Sequence, residues 1–335
     1  MGDPAGVGPE IIIKTLQSPR ARDSAVMMVA GYPGPFKRDA ALLSADINIK
    51  EITSPEDITD DEHTLHLMIP PRDIELPSGY GSVDKICGLA AASAIELSAE
   101  LAVSRKVDAV VTAPINKESL NMAGYDFPGH TEFYQYLSNA ADIGMLLTLG
   151  DFRVIHVVTH TAIRDVPDLV KKERIMRVAT LMNDALKLLG IERPRLAVSG
   201  LNPHAGESGL FGQEEIEEIT PAVETLCSEG VNAIGPLPPD TVFARAYSGE
   251  FDGVVAMFHD QGHIALKLAG FKFNEGACEI CGVNTTLGMP IIRTSVDHGT
   301  AFDIAGIGEA SPLSMIEAVE MASKLAIGKR TLNTG

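Results

Sequence analysis

The strongest constraint on this chain is an alternation. Short apolar runs at 24–30, 107–113, 144–149, 153–158, 195–199, 253–258 and 291–295 are separated by helical patterns at 9–16, 86–104, 172–189, 213–229 and 311–327. Each apolar run is brief, partly β-branched and bounded by Gly, Pro or polar residues, as buried strands are. The 172–189 segment keeps Ile175, Val178, Leu181, Met182, Leu186 and Leu189 on roughly one helical face. Pro9 falls in a first helical turn, where its missing N–H costs nothing. Alternating strands and helices predict an α/β layered fold with a partly parallel sheet. A chain of 335 residues favours about two domains.

Composition narrows the partners. Lys and Arg number 27 against 45 Asp and Glu, a formal charge of −18, with no basic block. Nucleic acid and anionic membrane are therefore not expected as partners. An anionic ligand would need a local cationic pocket. No apolar run approaches a membrane span, and no charged-then-apolar leader opens the chain. Four cysteines, Cys87, Cys227, Cys278 and Cys281, are too few for a disulfide scaffold, so reduced thiols in a cytoplasm are expected.

The dinucleotide fingerprint is missing, because Gly6 and Gly8 are followed by Ile11 where a third glycine would stand. The opening Gly2-Asp3-Pro4-Ala5-Gly6-Val7-Gly8 segment reads equally as a tight turn that starts a helix or as a backbone approach to an anion. Six of the nine histidines, His130, His160, His204, His259, His263 and His298, sit in polar, glycine-bearing segments at expected strand ends. Ligands of α/β sheets bind beyond those ends, and neutral imidazole suits zinc and related divalent ions. Lys267 follows His263 at i+4, and Arg293 lies in an apolar strand end, where a guanidinium needs a buried partner. Two patterns are expected to carry no chemistry. Cys278 and Cys281 form a C-x-x-C without a second pair, so a loop with two thiols is expected rather than a zinc knuckle. The acidic run Glu214, Glu215, Glu217 and Glu218 is expected to be a solvated helix face.

Taken together, Gly2-Asp3-Pro4-Ala5-Gly6-Val7-Gly8-Pro9-Glu10, Pro128-Gly129-His130-Thr131-Glu132, Asn202-Pro203-His204-Ala205-Gly206-Glu207, Gly235-Pro236-Leu237-Pro238-Pro239-Asp240-Thr241, His259-Asp260-Gln261-Gly262 and the stretch from Val283-Asn284 to Asp303 resemble the 4-hydroxythreonine-4-phosphate dehydrogenase family of pyridoxal phosphate biosynthesis. The resemblance runs in order over nearly the whole chain. It implies two αβα subdomains with a cleft between them, as in isocitrate and isopropylmalate dehydrogenases, divided here as 1–112 plus 290–335 on the cofactor side and 113–289 on the metal, substrate and dimerisation side. It implies a homodimer with a shared active site. His160, His204 and His259 match the family's divalent-metal ligands, one of them donated by the partner subunit. His130, Thr131, Lys267, Asn284 and Arg293 match its substrate positions. The His298-Gly299-Thr300-Ala301-Phe302-Asp303 loop is similar to the adenine-side loop of isocitrate dehydrogenases, which places NAD or NADP at His298, Gly299, Thr300 and Asp303.

The implied reaction is oxidation of the secondary alcohol of 4-(phosphooxy)-L-threonine, assisted by a zinc, cobalt, nickel or magnesium ion, followed by decarboxylation to 3-amino-2-oxopropyl phosphate. Lys267 or Asp260 is the expected proton carrier. Three departures stand out. The family's opening strand is absent, giving the expectation of a start at an internal Met. The 271–282 segment is longer than the family's loop between Lys267 and Asn284. The Ala301-to-Gly306 variant looks closer to the branch acting on 4-phospho-D-threonate or 4-phospho-D-erythronate, which yields dihydroxyacetone phosphate. A phosphotransacetylase-like transferase on the same layout is the alternative from another class; it would need neither NAD nor a three-histidine metal centre.

Overall fold

The computed structural model describes residues 1–59, 61–274, 277–280 and 282–334. Its strands are β1 (Val29–Ala30), β2 (Asn48–Ile52), β3 (Thr64–Met68), β4 (Ala109–Thr112), β5 (Gly144–Leu149), β6 (Phe152–Val158), β7 (Leu196–Ser199), β8 (Ala233–Leu237), β9 (Gly253–Phe258), β10 (Phe271–Asn274), β11 (Ala277–Ile280), β12 (Val283–Leu287) and β13 (Ile292–Val296). The chain is α/β and divides into two compact units. One comprises residues 1–141, 279–283 and 289–323; the other comprises 142–278, 284–288 and 324–335.

In the first unit, β3 lies between β1 and β2, all parallel, and β4 pairs in parallel with β13. The Lys85–Val103 helix is capped by Asp84, whose carboxylate accepts from the Ile86 and Cys87 amides at 2.6 and 3.0 Å. It is long and apolar enough to cross a membrane by composition alone. Ala92, Ile95, Ala99 and Ala102 instead pack with Val110, Leu120, Phe133 and Tyr134 in one core cluster.

The second unit is built on one sheet in the order β12-β5-β6-β9-β7-β8. β5 and β6 run antiparallel, and β6/β9, β9/β7 and β7/β8 are parallel. Its central strands are buried on both faces, which is why they read as continuous apolar runs. Ile155 and Val157 face one core cluster, with Ile175, Val178, Met182 and Leu186 of the Lys172–Leu188 helix. Phe152 and Val154 face another, with Val242, Phe243 and Leu266. Each fully buried aliphatic side chain contributes roughly 1.5–3 kcal/mol relative to exposure.

Most expected strands stand within a residue or two of their places, but four readings need correction. The 24–30 run is not a strand along its length: Pro19 starts a helix that ends at Ser24, leaving only Val29–Ala30 extended at a sheet edge. The 213–229 helix opens as a π-turn over Glu215–Ile219 before the α-helix Thr220–Ser228. The acidic run is not wholly solvated, because Glu215 is buried at 3% exposure. The segment expected as a loop at 271–282 contains β10 and β11. Cys281 and the side chain of Cys278 lie outside the described residues. Cys87 and Cys227 are free thiols, as expected.

Gly88 marks a close helix crossing in the first unit. A Cβ there would lie inside van der Waals contact of the Ser119 carbonyl, on the Lys117–Met122 helix. Gly88→Ala should therefore destabilise the protein by about 1–3 kcal/mol, read as a lower denaturant midpoint. An unchanged midpoint would show that the two helices separate freely.

Candidate active site

Parallel pairing of β6 with β9 sets Val158 opposite Phe258. The two strands therefore release the chain at the same sheet edge. His160 follows β6 by two residues, and His259 follows β9 directly as the first residue of the His259–Gly270 helix. Their ring centroids are 5.4 Å apart. Both line a pocket of about 420 Å³ together with Thr159, Thr161, Ile163, Phe258 and Asp260. Asp260 Oδ1 accepts a hydrogen bond from His259 Nδ1 at 2.7 Å. A carboxylate on Nδ1 fixes that tautomer and leaves Nε2 as a lone-pair donor, the arrangement of metal-binding imidazoles. The bond to His259 in turn holds the Asp260 carboxyl below its usual range.

Two further histidines complete a column. His263, one turn along the helix, stacks on His259 at 3.7 Å between centroids, and His156 of β6 stacks on His263 at 4.8 Å. His156 is fully buried, and its Nε2 has no hydrogen-bond partner among the described residues. Burial first, then the neighbouring imidazoles, pulls His156 down to about 3 and His263 to about 4, so both rings are neutral at physiological pH. Gly262 makes this stacking possible: a Cβ there would collide with His156 Nε2 and with Val154 Cγ1 at 2.6 Å.

His204 belongs to a separate loop of the same unit. Residues His204, Ala205, Gly206, Glu207 and Ser208 all have left-handed backbone angles, with φ of 54°, 55°, 80°, 45° and 56°. For the non-glycine residues this conformation costs of order 1–2 kcal/mol each, and such strain concentrates at functional sites. Among the described residues no group of three or more His, Cys, Asp or Glu side chains forms a ready cation site within one chain. Of the three expected ligands, the structure pairs His160 with His259. Lys267 sits half-buried two turns along the helix from His259. Asn284, on β12, turns a buried Oδ1 that meets no donor among the described residues.

The remaining expected residues lie in the first unit. Arg293, on β13, is 3% exposed; its Nη2 donates to Thr112 Oγ1 at 2.7 Å and its Nη1 to Thr131 Oγ1 at 3.4 Å. Its guanidinium carbon lies 6.0 Å from the Tyr134 ring centroid. Burial lowers even this guanidinium to about 10. Half-buried His130 begins the His130–Leu137 helix and is held well below its ordinary pKa by burial and then by Arg293. A cation held by neutral hydroxyls in a buried place is a ready anion grip. On the loop after β13, the Thr300 carbonyl accepts from Val7 N at 3.0 Å, and Gly6 admits this loop because a Cβ there would lie 2.8 Å from the same oxygen. The opening turn thus packs against the expected cofactor loop. Of that loop, His298 Nδ1 lies 2.9 Å from the Gly299 carbonyl, while Gly299 and Asp303 are exposed.

Sequence reasoning missed His156, Thr112, Tyr134 and Glu215. His156 was hidden in an apolar strand; its place in the Phe152-Val154-His156-Val158 alternation was the available signal.

A family model described as pyridoxal phosphate biosynthetic protein PdxA matches residues 23–322. A D-threonate 4-phosphate dehydrogenase of Pectobacterium atrosepticum is 43% identical over 327 residues, covering 97% of this chain and 98% of its own. A D-threonate 4-phosphate dehydrogenase of Salmonella typhimurium is 42% identical, covering 97% of each chain. The crystal structure of a 4-hydroxythreonine-4-phosphate dehydrogenase from Klebsiella pneumoniae superimposes with a TM-score of 0.86 at 42% identity, over 97% of this chain and 96% of that one.

Asp3 of the opening turn gives a pH test. It is fully buried, accepts from Ala5 N at 2.9 Å, and burial raises its carboxyl to about 6 from 3.8. The folded state therefore binds this proton more tightly than the unfolded chain. The favourable contribution is complete below pH ~4 and is lost as pH rises to about 6. Asp3→Asn should exceed the parent in stability by roughly 1–3 kcal/mol at pH 7, with the difference vanishing near pH 4. A constant difference across that range would contradict the assignment.

Proposed function

This chain belongs to the PdxA family, and on that premise we propose that it oxidises the secondary hydroxyl of a four-carbon phosphorylated hydroxy acid, with NAD as hydride acceptor and 4-phospho-D-threonate as substrate. The observation that carries the chemistry is the His160–His259 pair at the pocket, with Asp260 orienting His259. Their donor set fits a divalent ion of the zinc, cobalt or nickel type better than magnesium, which prefers oxygen. Such an ion, when bound, lowers the pKa of a substrate hydroxyl and stabilises oxyanion character.

The protein's own groups do the rest. Asp260 keeps the His259 proton on Nδ1. Lys267, on the same helix, serves as the proton carrier, with Asp260 the alternative. Arg293, flanked by Thr131 and by a neutral His130 that adds no competing charge, grips the phosphate or the carboxylate. Asn284 Oδ1 accepts a hydrogen bond from the substrate. The loop at His298, Gly299, Thr300 and Asp303, braced by the opening turn, takes the adenine side of NAD. The first product is a β-keto acid, and loss of carbon dioxide gives dihydroxyacetone phosphate. The third imidazole, His204, is supplied by a second copy of the chain, as the family resemblance implies for one of the three ligands.

The threonate reading is favoured by the names of both curated relatives and by the Ala301-to-Gly306 variant. The alternative substrate, 4-(phosphooxy)-L-threonine, is favoured by the name of the Klebsiella enzyme; it differs by an amino group in place of a hydroxyl.

Purified protein should form NADH from 4-phospho-D-threonate only with a divalent metal, and more slowly or not at all from 4-(phosphooxy)-L-threonine. The reverse preference would assign the other substrate, and turnover surviving chelation would remove the metal. His160→Ala and His259→Ala should each lower kcat about a hundredfold or more with little change in melting temperature. Arg293→Lys should raise the substrate KM about tenfold through loss of the planar fork; an unchanged KM would move the anion site elsewhere.

A further inference from the structure

We propose that Glu215 is a positioning residue that holds the left-handed turn presenting His204. This rests on the reading above that His204 serves the reaction. The carboxylate is buried, yet it lies in the acidic run expected to face solvent. Its Oε1 accepts from the backbone amides of Leu201 at 2.8 Å and Asn202 at 2.7 Å. Its Oε2 accepts from Asn202 Nδ2 at 2.9 Å. Three donors on one buried carboxylate form a strong clamp, because charge-assisted bonds gain strength away from water.

The clamp acts on the segment that feeds the strained turn. The Asn202 carbonyl accepts from Ala205 N at 3.1 Å, so fixing residue 202 fixes the entry to residues 204–208. On the far side, Gly206 lies against the same carboxylate, where a Cβ would come within 2.7 Å of Oε2. Glu215 therefore touches the turn at its entry and at its middle. Nothing intrinsic to Ala205, Glu207 or Ser208 favours left-handed backbone, so a run of such residues has to be imposed from outside.

Glu215 is the one glutamate of the run that reaches inward because it shares a face with the buried Ile219, Ala222, Val223 and Leu226. Glu215 and Ile219 are buried while Ile216 and Glu217 are exposed. Gln261 extends the support toward His259: its Nε2 donates to the Gly200 carbonyl at 2.8 Å and its Oε1 accepts from Met257 N at 2.7 Å. The loop bearing His204 is thus tied to the strand end bearing His259 by side-chain bonds within one unit.

The test uses Glu215→Gln in the full-length, metal-free protein and again in assay. The variant removes the charge and sets an NH2 group against Asn202 Nδ2. Hydrogen exchange should show the Leu201, Asn202 and Ala205 amides losing protection about tenfold or more, while amides of the Lys172–Leu188 helix keep theirs. kcat should fall about 10- to 100-fold in the parent and less than about twofold in a His204→Ala background, since both changes would act through one side chain. Unchanged protection at these amides, loss of protection throughout the unit, or an equal loss of kcat in both backgrounds would overturn the proposal. Should Glu215→Gln fail to fold, Asn202→Ala removes one donor and is read the same way. If the amides loosen but His204→Ala itself leaves turnover intact, the positioning stands and the catalytic reading of His204 fails.

Discussion

The parallel register of β6 and β9 is the constraint on which the site depends. With Val158 opposite Phe258, the chain leaves both strands at one edge, and the next side chains on each are forced together. His160 and His259 meet because of that register and not because of any local motif linking them. A one-residue slip would turn every β6 side chain to the other face. It would carry His156 away from Gly262 and break the imidazole column. The glycine and the buried histidine are therefore complementary shapes: Gly262 lets the His259–Gly270 helix lie close enough for His263 to stack between its neighbours.

An acidic protein that handles anions has to solve a field problem. With a formal charge of −18, the bulk surface repels a phosphorylated acid. The buried Arg293 guanidinium, held by Thr112 and Thr131 hydroxyls, places positive charge where water does not screen it. Neutral His130 leaves that charge undivided. Burial pushes the histidines in the same direction: His156 and His263 stay uncharged, so the column adds no positive charge beside the His160–His259 pair.

Much of this was legible in the sequence, and the failures have physical causes. β5, β6, β7 and β9 are buried on both faces and announce themselves as apolar runs. β2 was missed because it is a partly exposed edge strand that reads Asn48-Ile49-Lys50-Glu51-Ile52, a polar stretch. β8 was hidden by its Gly235-Pro236 pair, which reads as a turn. At the site, histidines in glycine-bearing strand ends stood out, and ordered family motifs named the residues. His156 looked like a core residue because it is one. Glu215 looked like a solvated helix start because a glutamate in an acidic run near a helix N-terminus usually faces water; its place on the face that Ile219, Ala222, Val223 and Leu226 bury was the signal against that. Side chains that act through the backbone of another loop leave little trace in local composition.

The central claim is that register brings His160 and His259 to a common cation. Anomalous diffraction from crystals grown with a divalent transition metal tests it most directly. The account predicts one strong peak about 2.0–2.1 Å from an imidazole nitrogen of each residue. A metal bound at saturation elsewhere, with neither imidazole in its coordination sphere, would contradict it.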